Sequence, residues 1–160
     1  MTQQAANLQL ALDWLENIVA GCLKTRFGEV ESYEVSPLNL YSDDSWLAAF
    51  MDQRDPAYEE FAVLMLAIAP HLSPHLLGKI ISEHLPEGGD FPEFGGAKSG
   101  NHRGILPTGE TAQFILAGDD LEKRLAVQYI LSNDHWLTKE HTVWLGAVRE
   151  GEPLVSGRVL

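Results

Sequence analysis

The chain has 160 residues, 45% of them hydrophobic, and sets 11 Lys and Arg against 23 Asp and Glu for a formal charge of −12. That length buries a proper core in one domain, or in a small domain with a helical arm, and that charge repels phosphate backbones, which makes a basic protein surface a better partner than nucleic acid. A single cysteine, Cys22, excludes an intramolecular disulfide and a Cys-rich zinc site.

The N-terminus, Met-Thr-Gln-Gln-Ala-Ala-Asn, has no basic n-region or apolar core, and the longest apolar run, Phe61 to Pro70, is too short to span a bilayer. A soluble, cytoplasmic protein is expected. Leu8, Leu12, Leu15, Ile18, Val19 and Cys22 recur at three- and four-residue intervals and predict a first helix from Gln4 to Lys24. Trp14 lies off that stripe and is expected to pack on the flank of the same domain. Thr25 to Tyr41 has no clean period and reads as a connector, with an extended piece at Val30 to Val35.

Start signals then come in succession. Ser42 caps a helix over Asp43 to Met51, Asp55-Pro56 opens one over Ala57 to Ala69, and Ser73-Pro74 opens one over His75 to His84. Ala57 to Ala69 is apolar on most sides, which marks a central helix. His71 and His75 are four apart, but Pro74 separates them, so they do not make a helical ligand pair, and no metal or other cofactor is expected.

Between Phe91 and Thr111 the chain holds five glycines, two prolines and the polar groups Lys98, Asn101, His102 and Arg103. It reads as a long loop anchored by Phe91 and Phe94, either a contact surface or a closure across the core. Gly104-Ile-Leu-Pro-Thr-Gly-Glu-Thr111 mimics a phosphate loop. Glu110, however, replaces the essential lysine and Pro107 removes a backbone donor, so the segment reads better as a helix start with Thr108 as cap and Glu110 on the positive end of the dipole. Ser99, His102 and Asp90 lack the spacing of a hydrolase elbow, and Cys22 on its helical stripe reads as a core residue; no catalytic residue is expected.

Thr108 to Ala117 is a helix stopped by Gly118. Asp120 to Leu131 is another, expected to carry Leu121, Leu125, Val127 or Gln128, and Ile130 or Leu131 on its apolar side and to turn Glu122, Lys123 and Arg124 outward. Thr142 to Val148 and Leu154 to Leu160, joined by the turn chemistry of Arg149 to Pro153, predict a C-terminal β-hairpin. The expected fold is therefore mostly α with a C-terminal β-hairpin, an α+β, winged-helix-like domain over 56–160 with an N-terminal helical extension over 1–55. The helix from Asp120 is an addition that this scheme leaves unexplained.

Phe94-Gly-Gly-Ala-Lys98, Gly104 to Thr111, Phe114-Ile-Leu-Ala-Gly-Asp-Asp-Leu-Glu-Lys-Arg124 and Glu150 to Arg158 resemble the N-terminal winged-helix domain of bacterial AAA-type ATPases associated with extracellular contractile injection systems, which are phage-tail-like machines. The resemblance implies a non-catalytic adaptor ahead of an ATPase module that would follow residue 160. Its partners would be that module and an injection-system component, and any oligomer would form through the full-length ATPase. Phe94, Lys98, Asn101, His102, Arg103 and Glu110 are the candidate protein-contact residues. The alternatives are a winged-helix nucleic-acid-binding module, whose helix from Thr108 to Ala117 offers Gln113 but no Lys or Arg, and a free-standing interaction protein.

Overall fold

The computed structural model describes residues 2–41, 44–85, 91–99, 102–147, 153 and 159–160, with the side chains of 98, 99, 102 and 103 excepted. Among these residues the architecture is mainly helical. Helix α1, Gln3–Arg26, opens on Thr2, whose hydroxyl accepts from Ala5 N–H, and lays Ala11, Leu15, Ile18, Val19 and Leu23 into the core at helical spacing. Trp14 packs inside the same domain: its ring lies 5.3 Å from Phe61 and its indole donates to Ser36 O at 2.9 Å.

Helix α2, Trp46–Arg54, begins three residues later than the sequence suggests. Its cap is Ser45, whose hydroxyl accepts from Ala48 N–H and from Asn7 Nδ2, so a tie to α1 selects the start; Ser42 and Asp43 lie outside the described residues. Asp55 does not cap the next helix. It takes the left-handed conformation at φ 42° and closes α2, while Glu60 Oε1 accepts the N–H of Ala57 at the head of α3, Tyr58–Leu72.

Helix α3 is the central one, with Phe61, Ala62, Val63, Leu64, Met65, Leu66 and Ala69 all buried. Each large side chain there contributes about 1.5–3 kcal/mol through burial. Pro70 sits in its last turn, where it removes the N–H that would bond Leu66 O, and the chain bends by 102° into α4, Leu76–His84. No single helix is long and apolar enough to cross a membrane among the described residues. Helix α1 packs on α2, α3, α4 and α5, Gly109–Ala117, so residues before 56 share one core with those after it.

Two expectations about strands change. The stretch taken as a loop contains a 3-10 turn at Pro92–Phe94 and an antiparallel hairpin, β1 Ala97–Ser99 with β2 His102–Leu106, in the register Ala97 to Leu106 and Lys98 to Ile105 with a bulge after Lys98. Conversely, residues 142–147 form no named strand, nor does 30–35; 148–152 and 154–158, most of the expected C-terminal hairpin, lie outside the described residues. What is present is backbone pairing: Gly146 N–H donates to Val159 O, Val159 bridges to Thr108, and Leu160 N–H donates to Pro107 O. The chain end thus returns to the head of α5. After α5 come α6, Leu121–Ile130, and a short α7, Trp136–Lys139.

Candidate functional site

The head of α5 gathers Phe91, Phe94, Thr108 and Glu110 from among the residues singled out in the sequence. Thr108 caps the helix: its hydroxyl accepts from Thr111 N–H at 3.4 Å, the Thr111 hydroxyl accepts from Thr108 N–H at 3.0 Å, and Gly96 N–H donates to Thr108 Oγ1 at 3.2 Å. Gly95 lies against this cap at φ 73°, where a Cβ would stand 2.9 Å from Glu110 Cβ and 3.0 Å from Thr111 N. Only glycine lets the backbone come that close. Phe94 is wholly buried, edge-on to Phe114 at 5.7 Å, and Phe91 lies between Phe114 and Phe27.

This geometry corrects two of the candidate contacts. Phe94 is a core anchor rather than a surface group. Glu110 is committed to Arg124, whose guanidinium reaches both its oxygens at 2.7 and 2.5 Å and also donates to Gly118 O at 2.9 Å. For Lys98, His102 and Arg103 the structure gives backbone positions in the hairpin; their side chains, like Asn101, lie outside the described residues. The mimic of a phosphate loop is the passage from β2 into α5, with its threonine hydroxyls turned to helix capping. In the imagined triad, Ser99 and His102 are backbone register partners in the hairpin and Asp90 lies outside the described residues. Among the described residues no group of three or more His, Cys, Asp or Glu converges on a point.

A second polar constellation had no sequence signal beyond its separate residues. Glu60 Oε2 accepts from the Trp136 indole at 2.7 Å and from His135 Nε2 at 2.6 Å, while His135 Nδ1 accepts from Leu137 N–H at 3.2 Å. His135 therefore caps α7 with one nitrogen and ties it to α3 with the other. Burial pushes the Glu60 carboxyl up, but the hydrogen bonds from Ala57, Trp136 and His135 outweigh it and hold the group below its ordinary value. Arg54 lies over the Trp136 ring, 5.5 Å from its centroid, and pairs with Glu140. Together these contacts cap α3 and α7 and join them to each other and to α2.

A half-open cavity of about 470 Å³ lies between α1, the connector after it and the end of α5, lined in part by Cys22, Thr25, Tyr33, Tyr58 and Lys123. Burial pushes the Cys22 thiol from 9.0 up to about 11 and the Tyr33 phenol above its ordinary range. Both groups are neutral near pH 7. Arg26, at the rim, is paired with Glu93 and Asp119.

The most conspicuous surface is on α6, where Glu122 and Lys123 face outward as expected but Leu121, Leu125 and Arg124 depart from the expectation. Arg124 is drawn inward by Glu110 and Gly118, and Val127 and Leu131 are buried on the same side. The opposite face turns out Leu121, Leu125 and Tyr129, which are 71%, 59% and 58% exposed. These three stand at i, i+4 and i+8, one row along a helix. Gln113, the one polar group offered for reading bases, is buried, donating to Gly109 O and accepting from Gln128.

Comparison of the chain with family models, with curated proteins and with solved structures finds no match.

Proposed function

We propose that this chain is the non-catalytic front domain of an AAA-type ATPase of a contractile, phage-tail-like injection system, and that it works by recognising another protein of that machine. The link to the ATPase rests on the resemblance of the Phe94–Arg124 region. Protein recognition is carried by one observation, the outward row of Leu121, Leu125 and Tyr129 on α6.

The finer fold proposed is winged-helix-like. Helices α5 and α6 are joined by the three-residue turn Gly118-Asp119-Asp120, the connection of a helix-turn-helix, and the chain then returns through Gly146 and Val159 to Thr108 at the head of α5. In that scheme α6 is not an addition. It stands in the place of the second helix, the one that DNA-binding relatives of the motif insert into the major groove. Here its outer face is apolar and its first turn acidic, with Asp120 and Glu122, so it suits a protein surface and repels phosphate.

An immunoblot of the source cells with antibody to this chain tests the proposal. A product well above 17.7 kDa that hydrolyses ATP when immunoprecipitated is expected. A product at 17.7 kDa would instead make the chain a free-standing interaction protein.

A further inference from the structure

The outward face of α6 has a definite shape and charge. Leu121, Leu125 and Tyr129 span about 12 Å of helix, and such an i+4 ridge is what one helix inserts into the groove of another. Acid lies at its N-terminal end: exposed Glu122 follows Leu121, Asp119 precedes the helix with its side chain 89% exposed and paired with Arg26, and Asp120 is 48% exposed. Lys123, on the same turn, is 4.0 Å from Asp120 and partly offset by it. The whole chain carries −12, so a second copy would bring like charge to this end, and so would a phosphate surface.

We infer that this face docks an amphipathic helix of a partner protein, one whose apolar row fits against Leu121, Leu125 and Tyr129 and whose flanks carry Lys or Arg. The inference rests on the recognition-domain reading and names the partner's chemistry. The apolar row provides affinity by leaving water, and the acidic end selects a basic partner and speeds encounter.

The probe is a synthetic helical peptide with Leu at i, i+4 and i+8 and Lys on both flanks, titrated against the intact chain by fluorescence anisotropy. A second peptide has every Lys replaced by Glu. The Lys peptide is expected to bind, to weaken as salt rises, and to bind at least tenfold more weakly to Leu125→Glu and to the double variant Leu121→Ala, Leu125→Ala. Leu125→Glu is the stringent case, because the added negative charge alone would tighten a basic peptide. Both variants alter exposed side chains and should melt within a few degrees of the parent. Equal binding of the Lys peptide to parent and variants would reduce the interaction to charge and overturn the inference. So would preference for the Glu peptide, or binding of phosphatidylserine vesicles or duplex DNA that the same variants abolish. Self-association in sedimentation velocity that Leu125→Glu abolishes would assign the face to a second copy and equally overturn it. Absence of peptide binding while the natural product runs far above 17.7 kDa would remove this docking face, and with it the observation that carries protein recognition, and leave the link to a longer ATPase standing. Peptide binding with a product at 17.7 kDa would do the reverse.

Discussion

Gly95 shows how a single residue decides where the 91–106 segment lies. Its φ of 73° and its 2.9 Å approach to the Glu110 Cβ leave no room for a side chain, so Gly95→Ala combines backbone strain with overpacking and should cost on the order of 2–4 kcal/mol in denaturant unfolding. The run of glycines is visible in the sequence, but not which of them touches α5. Glu60 makes a different prediction. Its folded carboxyl titrates below its ordinary 4.5, so its contribution is complete above about pH 4.5 and disappears as pH falls through the lower folded value. Thermal melting should therefore lose stability on acidification more steeply in the parent than in Glu60→Gln; parallel profiles would contradict this. For Cys22 the sign is opposite. The buried thiol favours its neutral form, so folding is undisturbed below about pH 9 and weakens towards about pH 11, and a thiol reagent at pH 8 should react far more slowly with the folded than with the urea-unfolded chain.

At the scale of elements, the local signals were sound where the cap is local. Thr108, Gly118 and the acidic first turn of α5 all read correctly from the sequence, because each acts within one turn of the helix. Thr108→Ala removes the acceptor of both Thr111 N–H and Gly96 N–H and should cost roughly 2 kcal/mol, near the top of the range for a cap. Caps that depend on a distant partner were missed: Ser45 is selected by Asn7, and His135 by Glu60. Helix α6 is legible in part: its bounds, the outward Glu122 and Lys123 and the inward Val127 and Leu131 agree with the sequence, while Leu121, Leu125 and Arg124 do not. Its period identifies a helix but allows two inward faces, and apolar character favours Leu121 and Leu125. The face that packs is chosen by Arg124, which reaches Glu110 and Gly118 O across the turn from α5. Removing that pair with Glu110→Gln should loosen the α5–α6 junction and lower Tm while leaving the other helices folded, measurable as faster hydrogen exchange confined to 109–130.

For the molecule as a whole, the mainly helical class and the central position of α3 were legible, since a helix apolar on most sides has nowhere to go but the middle. The one hairpin among the named strands was not: local turn chemistry at Gly100-Asn101 is a hairpin signal, and it was read as loop because the flanking strands are short and polar. Pairing of Val159 with Thr108 links residues far apart in the chain, which no local pattern encodes, whereas that of Gly146 with Val159 joins the two segments expected to pair. Of the six candidate contact residues, Phe94 and Glu110 serve the α5 junction, while the face proposed for a partner is the exposed row of Leu121, Leu125 and Tyr129 on α6. The most direct test of the proposed function is co-sedimentation of the natural gene product with any phage-tail-like particles that its source cells yield, with and without Leu125→Glu. The account predicts that the parent sediments with the particles and that the variant, equally stable to heat, stays in the supernatant. A variant that sediments as fully as the parent would contradict it.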